Sequence, residues 1–289
     1  MRRIDVFATL LVTCVWGVAF VGIKKVLESG PPLTLAGTRF VLGGLLLLPL
    51  LARPGAGRPP TWREVAVVGL LQTTALYGCG FLGVQRATAG ASALLLNTNP
   101  VMVALLAVPL LGEHLRPRAA AGIAAAVAGV ALVSVRSGLG SPVGIGLLLA
   151  GALAWAGGSI AVKRLEGVDL LRLSCGQMIV GGLPLLAAGV IGEHALPHPS
   201  AESLAWFAFL VVPATAVNFV IWFGLLERYS AGAMTSWLFL IPLFGVIAGA
   251  LLLGEPIGHR VVAGGALIVA GVLLTQEQAA ADEVVIGAA

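Results

Sequence analysis

The chain has 289 residues, of which 58% are hydrophobic and only 10% are charged, with a formal net charge of +4 and a mean hydropathy of +1.02. Soluble domains carry about 25% charged residues, so this composition excludes a water-soluble globular protein and predicts a lipid bilayer as the solvent. The basic residues are spread over separate loops without a basic stripe, which argues against nucleic acid as a partner. The cysteines lie in apolar runs and the histidines are scattered, so we expect no metal and no cofactor.

Ten apolar runs are long enough to cross a bilayer as helices, which need about 20 residues each. Short segments rich in glycine, proline or charge separate these runs. The sequence therefore predicts an all-α integral membrane protein with ten transmembrane helices, numbered here 1 to 10. In chain order they cover residues 6–27, 33–52, 65–85, 90–111, 118–135, 143–163, 170–191, 203–226, 231–253 and 259–275.

The basic residues of the connecting loops predict the orientation, because cytoplasmic loops carry an excess of lysine and arginine. With a cytoplasmic N-terminus the inner loops hold eleven such residues and the outer loops hold five. We therefore expect both termini in the cytoplasm. The eleven are Arg2, Arg3, Arg53, Arg58, Arg63, Arg116, Arg118, Lys163, Arg164, Arg172 and Arg228, and the five are Lys24, Lys25, Arg86, Arg136 and Arg260.

An internal repeat is visible in the segments LLGEHLRPRAAAG and LLGEPIGHRVVAG, which begin at residues 110 and 252. An offset of 142 residues aligns Pro100 with Pro242, and an offset of 139 aligns Trp16 with Trp155. Because five is odd, two five-helix copies enter the membrane from opposite sides, as in alternating-access transporters. The predicted units are residues 1–138 and 139–276, followed by a flexible cytoplasmic tail at 277–289.

The repeated Gly-Glu pair has a predicted structural role at the ends of helices 4 and 9. Gly112 and Gly254 suit the left-handed conformation that often ends a helix. Glu113 and Glu255 then precede helices 5 and 10, whose N-terminal dipoles favour an anion. The alternative is a gating ion pair with Arg118 or Arg260.

The ten predicted helices, the WGVAFVGIKK start and the repeated P-(x)11-GE pattern resemble the drug/metabolite transporter superfamily. Within it the chain is similar to the EamA type, which includes bacterial amino-acid and metabolite exporters such as the YddG-like group. The resemblance implies a bacterial inner-membrane protein with a central cavity lined by helices 1, 3, 4, 6, 8 and 9. Helices 5 and 10 are peripheral in that arrangement.

Aromatic and neutral polar side chains are the candidates for substrate binding, because an amide or hydroxyl facing lipid would be costly. On helix 1, Thr13, Trp16 and Phe20 share one face at steps of three and four. For the hydroxyl residues the alternative is hydrogen bonding between helices. The predicted substrate-binding set is Thr13, Trp16, Phe20, Tyr77, Phe81, Asn97, Trp155, Ser159, Asn218 and Trp222.

Three further residues are candidates for gating or hinge motion. Pro100 and Pro242 each remove a helical hydrogen bond near the middle of a span, which gives either a pivot or a simple packing kink. Arg39 lies near the outer end of helix 2, where we expect its side chain to extend towards the membrane surface. The alternative for Arg39 is a role in closing a gate.

No span carries an acidic residue near its middle, and such a residue is the usual proton relay. We therefore predict a transporter, not an enzyme, that exports small neutral or zwitterionic metabolites down their own gradient as a monomer or homodimer. Amino acids with aromatic or apolar side chains are the favoured substrates. The alternatives are a lipid translocase or scramblase, a multidrug exporter of organic cations, and a membrane scaffold that transports nothing.

Overall fold

The computed structural model describes residues 2–52, 55, 57–111, 117–134, 140–193, 198–226 and 236–286. Within these ranges the chain is helical and forms no sheet, apart from two isolated backbone bridges, Arg58 with Val168 and Ala87 with Gly140. In the first half the α-helices are α1 Arg3–Leu27, α2 Pro32–Leu47, α3 Trp62–Gly69, α4 Leu76–Val84, α5 Ala89–Leu96, α6 Asn99–Leu111 and α7 Pro117–Ser134.

In the second half the α-helices are α8 Pro142–Lys163, α9 Leu170–Gly192, α10 Ala201–Val211, α11 Asn218–Leu226, α12 Leu240–Leu253 and α13 His259–Ile286. The last of these helices continues through residues 277–286, where the sequence predicted a flexible tail. A 3-10 turn at Leu48–Ala52 extends α2, and another at Ser236–Phe239 leads into α12.

The helices are long and apolar enough for a multi-pass membrane protein. In the described part of the chain six helical stretches meet the length and hydropathy of a membrane span: Arg3–Leu27, Pro32–Ala52, Trp62–Val84, Pro142–Val162, Leu170–Gly192 and Ala201–Trp222. Large apolar side chains point away from the bundle, among them Ile4, Phe7, Ile191 and Leu251. Such a surface is stable in lipid and would be unfavourable in water.

Predicted helix 4 consists of two helices rather than one kinked span. Helix α5 ends at Leu96, Asn97 and Thr98 form a turn, and α6 begins at Asn99 with Pro100 as its second residue. Proline is well tolerated in a first turn because its missing N–H has no helical acceptor there. In the second half Pro242 likewise occupies the first turn of α12, directly after the 3-10 turn.

Two spans contain a π-helical segment at matching places. Leu70–Ala75 joins α3 to α4, and Val212–Val217 joins α10 to α11. The two segments start 142 residues apart, which is the offset of the sequence repeat. A π-turn inserts an extra residue into the helix and is often found at functional sites. Each places a buried threonine in the bundle, Thr73 in the first and Thr215 in the second.

Helices α2 and α9 pack against each other with reciprocal contacts. A Cβ atom at Gly44 would lie 2.6 Å from Ile179 Cγ1, and one at Gly182 would lie 3.0 Å from Val41 Cγ2. A Cβ atom at either glycine would also lie 3.2 Å from a carbonyl oxygen of the opposite helix. Gly44 with Gly182, and Val41 with Ile179, are separated by the same 138 residues. Small residues thus let the two backbones approach closely and in equivalent ways.

Helices α7 and α13 show the same reciprocity. A Cβ at Gly129 would lie 2.6 Å from the carbonyl oxygen of Gly264, and Gly271 faces the carbonyl oxygen of Gly122. Both pairs of equivalent glycines are 142 residues apart. These two helices pack mainly on each other, which places them at one side of the bundle.

Candidate functional site

Trp16 of α1 lies in an aromatic cluster with two residues of α11. Its ring centroid is 5.5 Å from that of Trp222 and 5.7 Å from that of Phe219, both in edge-to-face geometry. The indole Nε1 donates a hydrogen bond of 3.1 Å to the carbonyl oxygen of Ala214 in the second π-helical segment. Such aromatic pairs add about 0.5–1.5 kcal/mol each beyond the area that they bury. We call Trp16, Phe219 and Trp222 the aromatic cluster.

The polar residues beside the aromatic cluster are already hydrogen-bonded within the protein. Asn218 is buried and its Nδ2 donates to the carbonyl oxygen of Val12 at 3.0 Å, which ties α11 to α1. Thr13 is buried and donates to carbonyl oxygens of its own helix, those of Thr9 and Leu10. The Asn218 bond joins two helices, whereas both bonds of Thr13 stay within α1 and do not match the alternative of hydrogen bonding between helices.

Tyr77 is part of a second group, around Arg39. Its ring centroid is 4.0 Å from that of Phe40, and the guanidinium carbon of Arg39 lies 5.0 Å from the Phe40 ring and 5.7 Å from the Tyr77 ring. Arg39 is only 3% exposed and its Nε donates to Thr215 Oγ1 at 3.0 Å. The expectation that Arg39 extends to the membrane surface was wrong, because α2 turns this residue towards Tyr77 of α4 and the second π-helical segment.

The remaining predicted residues lie in other contacts. Ser159 accepts a hydrogen bond from Gln72 Nε2 at 3.3 Å and donates to the carbonyl oxygen of Trp155, so this face of α8 packs on the first π-helical segment. Asn97 Nδ2 donates to the carbonyl oxygen of Ala93 at 2.7 Å, within the turn between α5 and α6. None of these contacts joins the aromatic cluster.

Phe20 and Phe81 are buried in the largest apolar core. Trp16 and Tyr77 are only partly buried and pack against the same core. Phe81 is 1% exposed, so it contributes packing rather than a free surface. The core therefore connects the aromatic cluster with the group around Arg39. Of the predicted set, the structure brings Trp16 and Trp222 into direct contact, with Phe20, Tyr77 and Phe81 around the same core.

Gly254 and Glu255 lie at the end of α12, whereas Gly112 and Glu113 lie outside the described residues. Gly254 has φ of 65°, a left-handed conformation that glycine adopts without strain. The Glu255 carboxylate does not cap the helix that follows it. It accepts hydrogen bonds from the backbone N–H groups of Ala89 at 2.6 Å and Gly90 at 3.0 Å, at the start of α5. It thus satisfies free donors of a distant helix N-terminus.

Glu193 makes a similar contact that the sequence reasoning missed. Its carboxylate accepts from Leu33 N at 2.7 Å and from Thr34 N and Oγ1, both at 2.9 Å, at the start of α2. Gln177 was missed too, although the segments RFVLGG and QMIVGG align it with Arg39 at an offset of 138 residues. That short alignment is the signal that would have identified Gln177 as a second buried polar residue.

Comparison with known proteins agrees with this architecture. A model of the EamA-like transporter family matches the chain twice, over residues 3–135 and 142–276. A probable amino-acid metabolite efflux pump of Salmonella typhimurium is 30% identical, with 95% of each chain covered. The uncharacterized transporter YvbV of Bacillus subtilis is also 30% identical, over 93% of this chain and 90% of its own length.

One solved crystal structure shares the fold, with a TM-score of 0.67 at 21% sequence identity, covering 95% of this chain and 96% of that chain. The family and the relatives named above are transporters and efflux pumps rather than enzymes. This multi-pass, all-helical membrane protein belongs to the EamA-like transporter family.

Proposed function

We propose that this chain exports small neutral or zwitterionic metabolites, with amino acids that carry aromatic or apolar side chains as the favoured substrates. The observation that carries the proposal is the aromatic cluster. Trp16 and Trp222 are contributed by helices from different halves of the chain, and together with Phe219 they form a wall suited to an apolar side chain. The similarity to the probable amino-acid metabolite efflux pump of Salmonella typhimurium supports the same substrate class.

The proposed mechanism is alternating access between two inverted five-helix repeats. It is supported by the reciprocal packing of α2 with α9 and of α7 with α13, by the equivalent π-helical segments, and by the twofold match of the family model. Contacts that repeat in equivalent form around an axis allow one half to rock against the other with little repacking. The breaks before α6 and α12 are the proposed hinge positions.

Coupling to protons is not part of the proposal. In the described ranges, the carboxylates up to Glu255 lie at helix ends or in connections, as Glu64, Glu193 and Glu255 illustrate. A carboxylate at membrane depth is the usual proton relay, so transport should run down the substrate gradient in either direction. We also propose that the protein lies in the bacterial inner membrane with both termini in the cytoplasm.

The test is exchange in proteoliposomes. Purified protein is reconstituted and loaded with unlabelled L-phenylalanine, and uptake of labelled phenylalanine, alanine, an organic cation and a phospholipid analogue is measured without any ion gradient. We expect exchange of phenylalanine faster than that of alanine, and no movement of the lipid analogue above protein-free liposomes. Transport of the cation or lipid in place of amino acids would contradict the proposal, and strict dependence on a proton gradient would contradict the coupling.

A further inference from the structure

Arg39 is a buried cation within the membrane-spanning part of the bundle. It lies seven residues after the start of α2 at Pro32, which is about 10 Å along a helix with a rise of 1.5 Å per residue. The hydrocarbon core of a bilayer is about 30 Å thick, so a helix that begins at the edge of this core places Arg39 about one third of the way across it. The side chain is 3% exposed.

The guanidinium has unused hydrogen-bonding capacity. Its Nε donates to Thr215 Oγ1, whose own hydroxyl donates to the carbonyl oxygen of Leu210 at 2.8 Å. Arg39 Nη1 is buried and has no hydrogen-bond partner. Among the described residues no carboxylate forms an ion pair with Arg39, and its other close neighbours are the rings of Phe40 and Tyr77.

An unpaired buried cation is unfavourable, because its desolvation is not offset by an opposite charge. Aromatic faces compensate for part of this cost through cation–π attraction. The Nη1 donor, which has no partner beside these rings, is suited to an anionic ligand. The planar guanidinium also matches the geometry of a carboxylate.

The second π-helical segment connects this cation with the aromatic cluster. The carbonyl oxygen of Ala214 accepts a hydrogen bond from the indole N–H of Trp16. The hydroxyl oxygen of the next residue, Thr215, accepts a hydrogen bond from Arg39 Nε. Consecutive residues have Cα atoms about 3.8 Å apart, so one short segment positions both an aromatic wall and a cation. A binding site for a small molecule with an apolar group and a carboxylate needs both an aromatic wall and a cation.

We propose that Arg39 binds the carboxylate of the transported substrate through Nη1. This inference rests on the proposed function and narrows it to carboxylate-bearing molecules such as amino acids. The positive charge of Arg39 also disfavours organic cations that lack a carboxylate, because like charges repel in a medium of low dielectric constant. The competing explanation is a structural one, in which Arg39 only ties α2 to the second π-helical segment.

The wild-type protein provides the first test. Competition against labelled L-phenylalanine in the exchange assay is compared for unlabelled L-phenylalanine and its amide, which differ only at the carboxyl group. Loss of one charge-assisted hydrogen bond corresponds to a roughly 10- to 100-fold weaker competition by the amide. Equal competition by the two compounds would overturn the role of Arg39 while leaving amino-acid export intact. Failure to exchange any amino acid would instead refute the proposed function.

Variants separate the binding role from the structural one. Arg39→Met should remove the preference for phenylalanine over its amide, whereas Thr215→Val should retain it because the charge remains. The matched control is Gln177→Met, at the equivalent position of α9, where Gln177 Oε1 is also buried without a partner. It should retain the preference. If folded Arg39→Met retained the wild-type preference, the proposal would be wrong. If Arg39→Met does not fold, the competition by L-phenylalanine and its amide in the wild-type protein alone decides whether the proposal holds.

Discussion

Replacing Glu255 by glutamine tests whether its carboxylate is a structural cap. The two carboxylate oxygens accept separate hydrogen bonds from Ala89 N and Gly90 N, and glutamine keeps only one acceptor. Losing one charge-assisted bond costs about 1.5–3 kcal/mol. Losing the favourable interaction with the helix dipole costs about a further 0.3–1 kcal/mol. The expected destabilisation is therefore about 2–4 kcal/mol.

Thermal unfolding of the purified protein in detergent measures this effect. With an unfolding entropy of about 2.1 cal/mol/K per residue, 1 kcal/mol changes the Tm of this chain by about 1.6 °C, so Glu255→Gln should lower Tm by about 3–7 °C. Transport per folded molecule should change less than the yield of folded protein. A variant with wild-type Tm and no transport would refute the structural role and favour gating.

Two other glutamate-to-glutamine substitutions serve as references for the size of this change in Tm. Glu193→Gln removes part of a cap with three hydrogen bonds and should lower Tm at least as much as Glu255→Gln. Glu202→Gln affects an exposed ion pair with Lys25 at 3.3 Å, which is worth at most about 1 kcal/mol. If all three variants unfolded at the same temperature, helix capping would not explain the role of Glu255.

Two further predictions concern orientation and packing. An impermeant thiol reagent added to intact cells should label Pro199→Cys and not Pro59→Cys, since both residues are exposed in loops at opposite ends of the bundle; the reverse pattern would invert the proposed orientation. Gly44→Leu should destabilise the protein by about 1–3 kcal/mol, because its Cβ would lie 2.6 Å from Ile179. Gly192→Leu is the control with open space around it, and equal loss of folded protein in both would contradict the packing argument.

Local patterns predicted much of the fold. Apolar runs of the right length predicted the six helical stretches that are long and apolar enough to span a membrane. The Gly-Glu repeat predicted the 142-residue offset between Gly129 and Gly271, through which α7 and α13 pack. The glycine after α12 was recognisable because few other residues adopt a positive φ at a helix end. The break beside Pro100 was expected as a pivot or a kink within one helix, since proline disfavours a helix interior without specifying how the helix ends.

Partners distant in sequence could not be predicted. Arg39 is near a helix end, which suggested exposure, but only tertiary packing decides which face of α2 is buried. The cap formed by Glu255 joins residues about 166 positions apart, and nothing in the local sequence identifies that partner. The π-helical segments have no simple sequence signal either, because one inserted residue leaves the apolar composition unchanged. Of the candidate site, helical spacing placed Trp16 on a polar face of helix 1, but no local pattern predicted its direct contacts with Phe219 and Trp222 of α11.

The most direct measurement of the central claim is the substrate selectivity of Trp16→Ala in proteoliposomes. Removing this ring opens the aromatic cluster and leaves the carbonyl of Ala214 without its donor. We expect phenylalanine exchange to fall about 2- to 12-fold more than alanine exchange, since the loss of an aromatic contact worth about 0.5–1.5 kcal/mol corresponds to that factor. Trp206→Ala, a half-buried tryptophan in contact with Phe209, should reduce both substrates equally. Wild-type exchange of both amino acids by folded Trp16→Ala would contradict the assignment of the aromatic cluster as the substrate site.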